Sequence, residues 1–120
     1  MVTPDRTRQI AQEWVESWNS HDLDSILSHY SEDVEFTSPF IVKLLGDESG
    51  TITGKKALRS YFKNALAQYP DIALEPLRVL TGVDSLTIHY ISVLGMPAVE
   101  VMILNKEGKI SKVMVHYSDE

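Results

Sequence analysis

Apolar residues recur at helical spacing along the first part of the chain. Ile10, Ala11, Trp14, Val15 and Trp18 follow the i, i+1, i+4, i+5, i+8 pattern of one helical face. Thr3 is placed to cap this helix, Pro4 suits its first turn, and Asp5 complements the positive end of its dipole. Asn19-Ser20-His21 breaks the pattern, and Asp22 is placed to cap a second, shorter helix carrying Leu23, Ile26, Leu27, His29 and Tyr30. The period then changes to two. Val34, Phe36 and Ser38 alternate with Glu35 and Thr37, which predicts a half-buried strand ended by Pro39. Phe40 to Gly54 has Gly46, Asp47, Glu48, Ser49 and Gly50 at its centre and reads as a mobile hairpin or lid. From Gly54 a third helix presents Leu58, Tyr61, Phe62, Ala65, Leu66 and Tyr69 as one apolar stripe, and Pro70 stops it.

The remainder predicts four strands, Ile72–Leu80, Ser85–Leu94, Ala98–Asn105 and Lys109–Tyr117. Gly82-Val83-Asp84, Gly95-Met96-Pro97 and Lys106-Glu107-Gly108 supply the turns. Strands this close together favour antiparallel hairpins, because a parallel crossover needs a dozen or more residues. Helices first and strands after is an α+β order. The expected fold is a curved antiparallel sheet wrapped around the long third helix, with two N-terminal helices. Its concave side leaves a pocket.

Composition narrows the setting. The 120 residues form one domain, 1–120, long enough to bury a core without staples. There is no cysteine, which removes disulfides, thiolate nucleophiles and Cys-ligated zinc, and fits a cytoplasmic protein. A net charge of −6 argues against nucleic acid as a partner. No apolar run is long enough for a membrane span, and the first residues lack the apolar run of a secretory signal.

Several segments carry a family resemblance. Trp14-Val15-Glu16-Ser17-Trp18-Asn19-Ser20-His21-Asp22-Leu23-Asp24 resembles the helix–turn–helix opening of SnoaL-like proteins, in the nuclear-transport-factor-2-like superfamily with its cone-shaped α+β barrel. Tyr30 to Pro39 resembles that family's first strand, Gly54-Lys55-Lys56-Ala57-Leu58 with Tyr61-Phe62 its third helix, and Asn105 to Ile110 its last hairpin. The superfamily includes ketosteroid isomerases, polyketide cyclases, dehydratases, epoxide hydrolases and non-catalytic domains, so the fold alone does not choose an activity. Set against the isomerase branch, the general base position holds Ser38, the oxyanion tyrosine position holds Trp14, and the second oxyanion acid is matched by Glu100. A serine without an adjacent base carries no proton near neutral pH, so the resemblance does not imply steroid isomerisation.

Glu100 stands out on its own residues. Ala98, Glu100, Met102 and Leu104 share one strand face, so Glu100 is either a carboxyl in an apolar pocket or a solvated rim residue. In the pocket, desolvation would raise its pKa and make it a neutral donor or weak acid. Tyr30 and His29 are the further catalytic candidates. Trp14, Phe36, Ser38, Phe62, Tyr90, Met102 and Tyr117 are the expected ligand-binding residues, suited to a small aromatic or polycyclic molecule. His29 with Asp33 is a candidate acid–base pair. Val99, Val101 and Ile103 make the other face of the same strand apolar too, and Ile91, Val93 and Met114 extend it, so a homodimer through the outer sheet face is expected. His21, His29, His89 and His116 show no metal-ligand spacing. Gly50 to Lys56 is one residue short of a phosphate loop and lacks its terminal hydroxyl, so no metal or cofactor is expected.

Three functions remain open on these residues. They are binding of a small apolar molecule, acid–base isomerase, cyclase or dehydratase chemistry on such a molecule, and a dimerisation domain whose hollow is filled by side chains.

Overall fold

The computed structural model describes residues 1–118. The chain runs α1 (Pro4–Ser20), α2 (Leu23–Leu27), β1 (Tyr30–Thr37), α3 (Pro39–Leu45), β2 (Thr51–Thr53), α4 (Lys55–Gln68), β3 (Glu75–Thr81), β4 (Ser85–Ile91), β5 (Pro97–Leu104) and β6 (Ile110–Tyr117). Local chemistry sets the first boundaries as the sequence implies. Thr3 Oγ1 accepts from the Arg6 N–H at 3.1 Å, and Asp22 Oδ1 accepts from the Ser25 N–H at 3.2 Å. Between these caps, His21 adopts a left-handed conformation that closes α1, and its Nε2 lies 2.6 Å from the Ile72 carbonyl oxygen.

The six strands form one sheet in the order β2-β1-β6-β5-β4-β3. Its pairs are antiparallel except β1 with β6, which run parallel. That pairing joins the start of the chain to its end, so the crossover is supplied by everything in between. Register shifts interrupt β1–β6, β3–β4 and β5–β6. Extra residues of this kind bend a strand and increase its twist, which gives the sheet its concave side. α1 packs against β3 and α4 against β1 within that concavity. The fold is thus the expected α+β arrangement of helices on a curved sheet.

Burial alternates along the central strands. Leu86, Ile88 and Tyr90 of β4, Ala98, Glu100 and Met102 of β5, and Ile110, Val113 and Val115 of β6 are buried on the inner side. Trp14, Ile26, Tyr30, Leu58 and Phe62 meet them from the helices and β1, in one continuous core.

Four expectations need correction. The sheet is open, with β2 and β3 as its two edges, and does not close into a barrel. Phe40 to Gly54 is not a hairpin: Pro39–Leu45 is a helix, and only Thr51–Thr53 returns as a strand beside β1. Ser38 caps that helix, its Oγ accepting from the Phe40 N–H at 3.3 Å, and Pro39 takes the first helical position. The second helix stops at Leu27, so Tyr30 opens β1 and His29 lies in the turn between them. Lastly, β3 begins at Glu75, after Ile72 and Leu74 have been buried against the helices, and β4 ends at Ile91 in a short 3-10 turn, Val93–Gly95. Among the described residues no helix is long and apolar enough to cross a membrane.

Candidate ligand cavity

Between α1, α3, α4 and the concave sheet lies a cavity of about 520 Å³. Its walls are mainly aromatic. α1 contributes Trp14 and Trp18, β1 contributes Tyr30 and Phe36, α4 contributes Tyr61 and Phe62, and the sheet floor adds Tyr90 and Tyr117. The rings brace one another edge to face: Trp18 lies 4.8 Å from Phe62, Phe36 5.3 Å from Phe62, and Trp14 5.4 Å from Tyr90, centroid to centroid. Such pairs fix ring orientation as well as burying area. The α3 residues Phe40, Lys43, Leu44 and Leu45, with Asn64 and Gln68 of α4, add to the lining.

Among the described residues one carboxyl faces this apolar space. Glu100 is 4% exposed, paired in register with Ile88 on one side and Val115 on the other. The Tyr90 hydroxyl donates to Glu100 Oε1 at 2.7 Å, while Oε2 is buried with no hydrogen-bond partner. Burial raises the Glu100 pKa to about 7, against a smaller opposing effect of the Tyr90 hydrogen bond. Tyr30 lies close by. Its oxygen accepts the Trp14 indole N–H at 3.0 Å, and burial, followed by the charge of Glu100, pushes its pKa well above the usual phenol value. The Tyr90 and Tyr117 hydroxyls are raised in the same way, burial first and Glu100 second. The Trp18 indole N–H is also buried without a geometric partner. The inner end of the cavity therefore combines one near-neutral acid and three phenols held protonated, with the Trp14 and Trp18 indole N–H groups both directed at Tyr30.

Of the residues expected at the site, Trp14, Tyr30, Phe36, Phe62, Tyr90, Glu100 and Tyr117 line this cavity. Ser38 and Met102 do not. Ser38 is 2% exposed and caps α3, its hydroxyl standing behind the wall against the Tyr61 and Tyr117 hydroxyls, and Met102 is fully buried in the core between Leu86 and Val113. His29 is a further correction. Its Nε2 sits 2.8 Å from Ser17 Oγ in a shallow outer hollow with Glu13, Glu16 and Ser25, away from the cavity. Burial lowers its pKa. Asp33 accepts from Ser31 Oγ at 2.7 Å, so the His29–Asp33 pair does not form. Val93, expected on the outer face, lines the cavity because the 3-10 turn carries it around the end of β4. His89 and His116 lie opposite Val99 in neighbouring strands, on the outer face.

Sequence reading missed Trp18, Phe40, Leu44, Tyr61, Ala65 and Tyr69 as lining residues. Trp18 was legible, standing one turn after Trp14 on the same face. Phe40 and Leu44 share the same i, i+4 spacing, but only once their segment is known to be helical. Among the described residues no group of three His, Asp or Glu side chains is placed to hold a metal ion.

An open curved sheet closed off by helices, with an aromatic cavity between them, defines a cone-like α+β domain of the nuclear-transport-factor-2-like type. Within it, residues 11–113 match the model of the SnoaL-like domain family, and the chain belongs to that family. It is similar to a SnoaL-like protein of unknown function from Burkholderia thailandensis E264, with 39% identity, a TM-score of 0.94, and 98% of this chain and 99% of that one covered. More distant similarities show the fold alone. The epoxide hydrolase/cyclase-like enzyme SalBIII of salinomycin pyran ring formation has 23% identity and a TM-score of 0.79, covering 99% of this chain and 95% of that one. A putative ketosteroid isomerase from Kribbella flavida DSM 17836 has 21% identity and a TM-score of 0.76, covering 97% and 80%. No curated protein matches the chain.

Proposed function

We propose that this SnoaL-like domain binds a small aromatic or polycyclic molecule in its cavity, ring system against the aromatic walls and polar group toward Glu100. The observation that carries the reading is a hollow of about 520 Å³ into which, among the described residues, a single buried carboxyl projects with its second oxygen unengaged. Volumes of this order suit a ligand of a few rings, and a few convergent polar groups in an apolar pocket are what orient one. The same volume disfavours a purely structural domain filled by its own side chains. Ala65 lies on the cavity wall of α4, where alanine leaves room. Ala65→Phe is therefore expected to keep the fold, seen by circular dichroism, while abolishing the quenching of Trp14 and Trp18 fluorescence by 1-naphthalenemethanol. Equal quenching in both proteins would place the ligand elsewhere.

Proton transfer is the second reading, favoured by an acid of pKa about 7 inside the cavity. Glu100 is the proton carrier and Tyr30 the neighbouring donor in that reading. Turnover of a bound molecule is expected to follow one ionisation near neutral pH, and undiminished turnover in Glu100→Gln would rule it out. We also propose that a second copy of the chain covers the outer sheet face and that the protein works in the cytoplasm. The apolar Val99, Val101 and Ile103 row and the absence of cysteine support these two statements.

A further inference from the structure

We propose that the polar end of the cavity is a cation site, taking a ring molecule that carries a protonated amine, with the Glu100 carboxylate as its counterion. The inference rests on the cavity reading above and specifies the charge of the ligand within it.

Glu100 offers one free oxygen, since Oε1 is engaged by Tyr90 and Oε2 by no hydrogen-bond donor among the described residues. The titratable groups that face it are Tyr90 from β4, Tyr117 from β6 and Tyr30 from β1, and α1 adds only the indoles of Trp14 and Trp18. From α4 the cavity receives Tyr61 and Tyr69. None of these groups is a cation. A buried carboxylate without a positive partner is costly, which is why Glu100 holds its proton up to about pH 7. A ligand ammonium supplies both missing features, a positive charge and an N–H donor for Oε2. The walls add to this, because ring faces attract cations through their quadrupoles, most strongly when water is excluded.

Lys43 is the one cation among the lining residues. It stands exposed on α3, its Nζ 5.9 Å from the centroid of Phe40, where solvent screens it from the inner end. The net charge of −6 further favours a cationic over an anionic ligand. An anionic head group would meet Glu100 as a like charge. A neutral carbonyl, which can only accept, is the competing polar group. It would be held by protonated Glu100 and would bind best below neutral pH, so the two ligand chemistries have opposite pH signs.

The test is calorimetric titration of the full chain with 1-naphthylmethylammonium chloride and with 1-naphthalenemethanol, at pH 6 and pH 8. The amine is expected to bind more tightly than the alcohol at pH 8. Its affinity should rise about tenfold from pH 6 to pH 8, because below its pKa Glu100 must first release a proton. That release appears at pH 6 as a dependence of the heat on buffer ionisation enthalpy. Glu100→Gln should lose both the amine preference and the pH dependence while still binding the alcohol. If that variant does not fold, the parent protein's pH series decides alone. Alcohol binding equal to or tighter than amine binding at pH 8, or amine binding that tightens toward pH 6, overturns the cation site and leaves the cavity reading standing. Binding of neither probe overturns both.

Discussion

Glu100 is where sequence and surroundings pull against each other. Its place in the β5 alternation turns it inward, and the inner side of the sheet is apolar. The conflict has a thermodynamic sign. The folded pKa of about 7 lies above the ordinary value of 4.5, so between those limits the folded protein holds a proton that the unfolded chain has lost. Stability therefore falls as pH rises from 4.5 toward 7 and stays lower above it, by about 3 kcal/mol for a shift of this size. Glu100→Gln cannot ionise and can still accept from Tyr90. It is expected to unfold at higher temperature than the parent protein at pH 8 and at nearly the same temperature at pH 5. Scanning calorimetry at the two pH values checks this, and a constant difference would mean that the carboxyl is not desolvated. That Glu100 shares a face with Ala98 and Met102 was legible from alternation, while pocket and rim both stayed open until burial decided between them. The Tyr90 partner was not legible, since it comes from a different strand.

At the scale of elements, α3 is the informative case. Its segment was read as a hairpin or lid because its centre is rich in glycine and polar residues. Those residues in fact follow the helix: Gly46 closes it in a left-handed conformation, and Gly50 makes the return. Gly50 has φ of +62°, and its carbonyl accepts the Ser38 N–H at 2.9 Å. A Cβ there would stand 3.0 Å from Val42 Cγ2 and 3.3 Å from the Ser38 carbonyl oxygen. Gly50→Ala is therefore expected to destabilise the fold by roughly 1–2 kcal/mol, from left-handed strain plus crowding. Because α3 lines the cavity, it should also weaken binding of 1-naphthalenemethanol. Urea denaturation and fluorescence titration measure the two effects, and an unchanged midpoint would show that the return is not held in this geometry. α1 and α4 were legible because each carries a long apolar stripe, and the short α2 because Asp22 announces its cap. α3 is seven residues long, too short for periodicity to show.

For the whole molecule, the sheet has two apolar sides with different fates. The inner side is covered by α1 and α4 and leaves the cavity. The outer side sets Val99, Val101 and Ile103, each half-buried, beside Ile91, Met114 and the two histidines His89 and His116. Val101 is central, with Thr87 opposite it in β4 and Met114 opposite it in β6. If a second copy covers this face, Val101→Arg places an unpaired charge in the middle of the interface. The expected result is a parent protein with twice the chain mass by light scattering at micromolar concentration, and a variant with the mass of one chain. A monomeric parent protein removes the proposal.

The order of the helices and strands other than α3 and β2, most of their inward faces and the caps of α1 and α2 were determined by the sequence alone, because each depends on side chains within a turn or two of one another. Which residues share the cavity was decided only by the tertiary structure. Ser38 fell to a helix cap, Met102 to the core and His29 to an outer hollow, while Val93 and the α3 side chains came in. Each of these outcomes depends on strand register, bulges and the parallel β1–β6 pairing, which join residues that no local pattern relates.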